Sequence, residues 1–178
     1  MPEIAFINGK FMPLEEAVVP IEDRGYQFAD GVYEVVATYH GKPFAMAPHL
    51  KRLQRSLEEI RIDLDIDVYG LEGLVEEGIR RGGFAETLIY IQITRGVAAR
   101  RHDYHQTSMQ PTVVMTIKEL HRPQADLYTN GVRLITADDQ RWKRCDIKTI
   151  ALLPNILAKQ AAAEAGATAV IQPGGSIR

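Results

Sequence analysis

Strands that come in runs, with the helical segments gathered between them, predict an α+β fold rather than a doubly wound parallel sheet. Three features of the chain carry that expectation: apolar–polar alternation on both sides of His40-Gly41-Lys42-Pro43, two successive leucine-rich stretches at helical spacing, and two strand-like runs directly after them. In chain order, "EIAFING" and "EAVVPIE" open as short apolar–polar segments, and "GVYEVVATYHGKPFAM" reads as two strands about a turn. Pro48 suits a first helical turn, and Leu50, Leu53, Leu57 and Ile60 then form one apolar stripe. Val68, Leu71, Val75 and Ile79 form a second. "TLIYIQITRG" and "PTVVMTIKEL" read as two further strands, and "HRPQADLYTNG" has the proline, asparagine and glycine of a linker. The expected organisation is an N-terminal two-layer α+β domain over residues 1–120, a linker over 121–130, and the start of a second α/β domain over 131–178. That last stretch holds a strand at "VRLITAD", a helix from about Asn155 to Glu164 and a strand start at "TAVIQ".

Composition bounds the function classes. With 178 residues, 46% of them apolar and 25% charged, the chain is long and apolar enough for a real core. A formal net charge of -2 gives no whole-chain basic field for nucleic acid or an anionic membrane, so small molecules and other proteins are the expected partners. No apolar run approaches the roughly 18 to 20 residues that span a bilayer. The single cysteine, Cys145, excludes an internal disulfide framework, and the opening "MPEIAFINGKF" lacks the basic start and apolar core of a secretory leader. A cytoplasmic location is expected.

Four segments carry residues with chemistry. Alternation in "GVYEVVATY" puts Tyr33, Val35 and Ala37 on one strand face and Val32, Glu34 and Val36 on the other. From this segment Tyr33 reads first as an ordinary tyrosine of a half-buried strand, with a ligand contact as the alternative. "ITRGVAARRH" packs Arg95, Arg100, Arg101 and His102 after an apolar strand, where a turn can aim their donors at an anion or leave them as a solvated basic loop. Arg52 lies between Leu50 and Leu53, one residue off the apolar stripe, as a phosphate ligand or a snorkelling surface arginine. Lys148 enters the long apolar run of "RCDIKTIALLPNILAKQ". A lysine in a partly apolar setting gives up its proton more readily, and the neutral amine is the nucleophile that forms a Schiff base with an aldehyde. The alternative is an ammonium that reaches solvent from a strand end.

Taken together, "EDRGYQFADGVYEVVATYHGKPF", "RLQRSLEEIRI", "YIQITRGVAARRH" and "RWKRCDIKTIALLPNILAKQAAAEAGA" closely resemble the D-amino acid aminotransferases, pyridoxal 5′-phosphate (PLP) enzymes of fold type IV. The resemblance runs in order from about Gly9 to the end of the chain. It implies that Lys148 holds PLP covalently and shuttles a proton at the substrate, and that Arg52 holds the cofactor phosphate. It also implies that Tyr33, Arg100 and His102 trap the substrate α-carboxylate, the arginine and histidine reaching in from the partner subunit of a homodimer. Val35 matches a pocket-wall position, with Tyr90 nearby. The second domain is then the barrel-like PLP-binding domain. The implied reaction moves an amino group from a D-amino acid such as D-alanine to a 2-oxo acid such as 2-oxoglutarate. In the family that second domain also supplies a carboxylate to the pyridine nitrogen and a Gly/Ser/Thr set to the phosphate, and both fall beyond "GATAVIQPGGSIR". Two other readings stay open: a branched-chain aminotransferase or aminodeoxychorismate lyase of the same fold, and a non-catalytic fragment.

Overall fold

The computed structural model describes residues 3–104 and 109–172. The chain divides into two compact units, one of residues 1–120 with 147–150 and one of residues 121–146 with 151–178. The second-domain stretch read from the sequence therefore gives up four residues, Ile147 to Ile150, to the first unit, and its last six residues, 173–178, lie outside the described part.

The first unit is built on a six-stranded antiparallel sheet in the order β2-β1-β6-β5-β3-β4. Strand β1 (Ile4–Ile7) turns into β2 (Lys10–Pro13) through Asn8 and Gly9, both at positive φ, the asparagine–glycine pair that a two-residue hairpin turn favours. Asn8 ties this turn to the sheet, since its side-chain oxygen accepts from the Val113 N–H at 2.8 Å. "EAVVPIE" forms no strand: residues 17–22 are irregular, and Val18 and Ile21 are exposed. A proline at position 20 and the lack of any neighbouring strand to take the backbone groups account for this. Helix α1 (Arg24–Phe28) is capped by the Asp23 carboxylate on the Gly25 N–H at 2.8 Å. Strand β3 (Gly31–Tyr39) follows, turning through His40 and Gly41 into the two-residue β4 (Lys42–Pro43).

Helix α2 (Met46–Glu59) lays Leu50, Leu53 and Leu57 on the sheet, and α3 (Leu71–Gly82) adds Leu71 and Val75. Val68, expected on the second stripe, precedes α3 and is exposed. Strands β5 (Thr87–Thr94) and β6 (Thr112–Glu119) complete the sheet centre with Ile89, Ile91, Ile93, Val113, Met115 and Ile117. Burial of each such side chain is worth about 1.5–3 kcal/mol, which makes this layer of helix on sheet the source of the unit's stability.

The second unit is smaller. Helix α4 (Ala125–Asn130) occupies the stretch read as a linker, and β7 (Leu134–Thr136) pairs in parallel with β8 (Ala169–Ile171) through the intervening helix α5 (Leu153–Glu164). Among its described residues the buried hydrophobics are Ala162 and Ala167, while Leu134, Leu153, Ile156 and Leu157 are exposed. No helix among the described residues is long and apolar enough to cross a membrane.

Candidate active site

Strand β3 organises the site because its two faces differ. Val32, Glu34, Val36 and Thr38 are buried toward the helices, and Tyr33, Val35 and Ala37 are half-buried on the opposite face. Residues 147–150 run antiparallel beside the start of β3: the Tyr33 N–H donates to the Lys148 carbonyl at 3.0 Å and the Ile150 N–H to the Gly31 carbonyl at 3.1 Å. Ile147 is buried in the core, so period-two geometry turns Lys148 the other way, toward Tyr33. Its Nζ lies 4.1 Å from the Tyr33 ring centroid, and among the described residues no carboxylate pairs with it. Tyr33 in turn stacks on Tyr90 at 5.6 Å between centroids, and the register sets Tyr90 opposite Val35. The Tyr90 hydroxyl donates to the Gln92 side-chain oxygen at 2.7 Å, and burial pushes its phenol above the ordinary range.

Behind this surface sits a buried carboxylate. Glu34 is fully buried and accepts two bonds from Arg52, Nε at 2.5 Å and Nη2 at 2.8 Å, and lies 2.8 Å from His49 Nδ1. Burial opposes ionisation of Glu34, but the bonds from Arg52 and His49 outweigh it and hold the carboxyl below its ordinary range. The same pairing raises Arg52 further. Arg52 is nevertheless half exposed, and among the described residues its Nη1 has no acceptor. Helix α2 thus presents an oriented guanidinium with one nitrogen left for a ligand. One turn further on, Ser56 is buried, its Oγ 3.4 Å from the Lys148 backbone nitrogen, so the same helix braces both Arg52 and the lysine segment.

Arg100 and His102 belong to a different part of the unit. After β5 the chain bends at Gly96, φ +100°, where a Cβ would run into the Gln110 carbonyl. The Arg100 guanidinium then lies 4.6 Å from the Phe28 ring centroid, and the His102 ring 5.5 Å from it. Arg24 donates Nη1 to the Arg101 carbonyl at 2.5 Å and Nη2 to the His102 carbonyl at 3.3 Å, while its Nε binds Asp30 at 2.8 Å. Arg95 takes the rest of Asp30, at 2.8 and 3.0 Å, and caps the end of α2 through the carbonyls of Ile60 and Arg61. Burial would raise the Asp30 carboxyl, yet the bonds from Arg95 and Arg24 bring it below the ordinary range. Among the described residues no hydrogen bond or ring contact joins Arg100 or His102 to Tyr33, Tyr90 or Lys148 of the same chain.

The structure therefore brings Lys148, Tyr33, Val35 and Tyr90 together, sets Arg52 behind them on α2, and keeps Arg100 and His102 on a separate loop. A model of the class IV amino-transferases matches residues 31–175 of this chain. The chain belongs to that family. The class IV chain is 43% identical over 167 residues to the D-alanine aminotransferase of Staphylococcus haemolyticus, covering 94% of this chain and 59% of that protein. It is likewise 43% identical over 160 residues to the D-alanine aminotransferase of Bacillus licheniformis, covering 90% of this chain and 56% of that one. The chain thus spans less than two thirds of the length of these curated relatives. In fold it is similar to the branched-chain aminotransferase from the thermophilic archaeon Thermoproteus uzoniensis with norvaline, at TM-score 0.80 and 21% identity over 95% of this chain and 59% of that one. A hypothetical aminotransferase from Mycobacterium tuberculosis in PLP-bound form gives TM-score 0.78 at 20% identity, over 95% of this chain and 61% of that one.

Sequence reasoning overlooked Glu34, His49, Arg24, Phe28 and Asp30. Glu34 had a usable signal, since a carboxylate between Val32 and Val36 on the buried face of a strand demands a cation. The others gave no comparable signal, because apart from the local contacts of Arg24 with Phe28 and Asp30 their partners lie on other elements of the fold or are backbone carbonyls of a distant loop.

Proposed function

We propose that this protein transaminates a D-amino acid of the D-alanine type with a 2-oxo acid such as 2-oxoglutarate, using pyridoxal 5′-phosphate held on Lys148. The observation that carries the reading is the Lys148 amine set against the Tyr33 ring, with no carboxylate partner among the described residues, since an amine committed to an ion pair is a poor nucleophile toward an aldehyde. The donor set fits the cofactor: Lys148 for its aldehyde, and Arg52, oriented by Glu34 and with Nη1 unpaired among the described residues, for its phosphate. When bound, PLP supplies the electron sink for the pair left at the substrate Cα. Lys148 removes and returns the proton there. Tyr33, Val35 and Tyr90 form the wall against which the substrate is oriented, and Arg100 and His102 offer donors to its α-carboxylate.

A homodimer with shared sites belongs to this proposal. Arg100 and His102 rest on Phe28 and, among the described residues, make no contact with the lysine of their own chain, so a second copy is the natural source of the clamp at each Lys148. The exposed, lone Cys145 fits the reducing cytoplasm. The branched-chain and lyase readings share Lys148 and Arg52, and the 43% identity to D-alanine aminotransferases favours the D-amino acid reading over them.

Borohydride reduction of the complete protein with PLP, followed by peptide mass analysis, is expected to place the adduct on Lys148. Lys148→Ala is expected to lose both the adduct and keto-acid release from D-alanine. An adduct that survives Lys148→Ala, at exposed Lys143 or Lys159 for instance, overturns the assignment. Keto acid from L-leucine with none from D-alanine moves the protein to the branched-chain reading.

A further inference from the structure

We propose that Arg24 is a positioning residue for the loop that carries Arg100 and His102, fixing its backbone so that the two side chains are presented together to a carboxylate. The carboxylate's identity as substrate rests on the function proposed above; the holding of the loop does not.

Arg24 is a buried cation, only 4% exposed, on a helix of five residues. Burying a guanidinium is costly unless every direction of its fork is satisfied, and the partners it has chosen are informative. Its Nε is fixed by Asp30, and because the guanidinium is rigid and planar this sets where the outer nitrogens point. They end on two successive carbonyls of the loop, Arg101 and His102. Those contacts add nothing to the sheet and little to the core. What they specify is the path of the loop.

Electrostatics give the arrangement a direction. The carbonyl oxygens of Arg101 and His102 would repel an arriving anion, and a buried cation engages both, leaving the loop to meet an anion through the Arg100 and His102 side chains. Phe28, four positions after Arg24, receives the Arg24 guanidinium at 4.9 Å, the Arg100 guanidinium at 4.6 Å and the His102 ring at 5.5 Å. It serves as the common rest for both clamp side chains. Asp30 in turn is gripped by Arg95 through Nε and Nη2, and Arg95 also holds the Ile60 carbonyl through the same Nη2 and the Arg61 carbonyl through Nη1. A chain of Arg95, Asp30 and Arg24 therefore ties the loop to the rigid end of α2 and the sheet, the supporting layer that a side-chain clamp needs.

The test uses the complete, PLP-loaded protein and propionate, a carboxylate without an amino group, with affinity read by calorimetry. Arg24→Leu is expected to weaken propionate about tenfold or more, to raise KM for D-alanine with kcat nearly kept, and to leave the Lys148 adduct intact. Arg24→Lys recovers part of the loss. Combined with Arg100→Ala, the two effects are expected to fall short of multiplying, because both act through one clamp. Propionate affinity within about twofold of the unchanged protein, or effects that multiply in full, overturns the proposal. If Arg24→Leu does not fold, Asp30→Asn, which removes the negative charge that fixes the Arg24 Nε, is put through the same comparison and judged by the same outcomes. Arg100→Ala without any effect on propionate sinks the clamp and this inference with it, even where Lys148 carries the adduct. Loss of propionate affinity in both Arg24→Leu and Arg100→Ala, with no adduct on Lys148, sustains the positioning role and removes the transaminase reading instead.

Discussion

Asp30, just before β3, and Glu34, within it, lie four residues apart, and each is a sheltered carboxylate held by two bases, yet the two clusters are finished differently. Around Asp30 both cations are buried, with Arg24 and Arg95 side chains 4% and 7% exposed, and the nitrogens that do not bind Asp30 end on backbone carbonyls. Around Glu34 the carboxylate is fully buried while Arg52 is 49% exposed and keeps one nitrogen without an acceptor among the described residues. A closed cluster can only hold the protein. An open one, with its charge oriented from behind and its front unsaturated, is ready to hold something else.

The largest effect should come from breaking the closed cluster. Asp30→Ala leaves two buried guanidiniums without their counter-charge, which is expected to lower unfolding free energy by about 3–5 kcal/mol, checked by urea denaturation. A loss below about 1 kcal/mol would show that water reaches Arg24 and Arg95, and the contrast between the clusters would collapse.

Acid sharpens the same comparison. Both carboxyls have folded values below their unfolded ones, so the stability they contribute is fully present above the ordinary carboxylate range and is lost as pH falls through it toward the lowered folded values. The slope of stability against pH below about 4 should therefore be shallower in Asp30→Asn than in the unchanged protein. An unaltered slope would place the acid sensitivity elsewhere.

Arg52→Ala should have the smallest effect on folding, about 1–2 kcal/mol, because His49 stays on Glu34 and the vacated space opens to water. Its signature lies in the ligand instead: PLP retention on dialysis should fall while KM for D-alanine changes little in enzyme kept saturated with cofactor. Unchanged retention would return Arg52 to the surface and leave Glu34 a purely structural pair.

Much of this was readable beforehand because it depends on local periodicity. The alternation that separated Tyr33 and Val35 from Val32, Glu34 and Val36 is the burial pattern of β3, and the leucines of α2 meet the core as spaced. The turn at His40 and Gly41 follows from residues that accept positive φ. Reading failed where burial needs a neighbour the local pattern does not name. "EAVVPIE" alternates well enough but has no strand beside it, and Val68 is apolar yet lies before its helix begins. Helix α5 was expected from Asn155 and starts at Leu153, with Leu153, Ile156 and Leu157 exposed, because its apolar residues specify a helix but not the surface that covers them.

By itself, then, the sequence determined the α+β class and the strand face on which Tyr33 and Val35 lie, both consequences of short-range spacing, while Lys148 stood out as the lysine candidate through the resemblance of its segment to the aminotransferases. Only the tertiary structure decided that Ile147 to Ile150 return to the edge of β3, that Glu34 orients Arg52, and that Arg24 reaches across to the carbonyls of Arg101 and His102. Those are hydrogen bonds between groups 18 to more than 100 positions apart. Their partners are chosen by which buried charges and backbone groups the folded sheet brings within about 3 Å, a distance that no local pattern encodes.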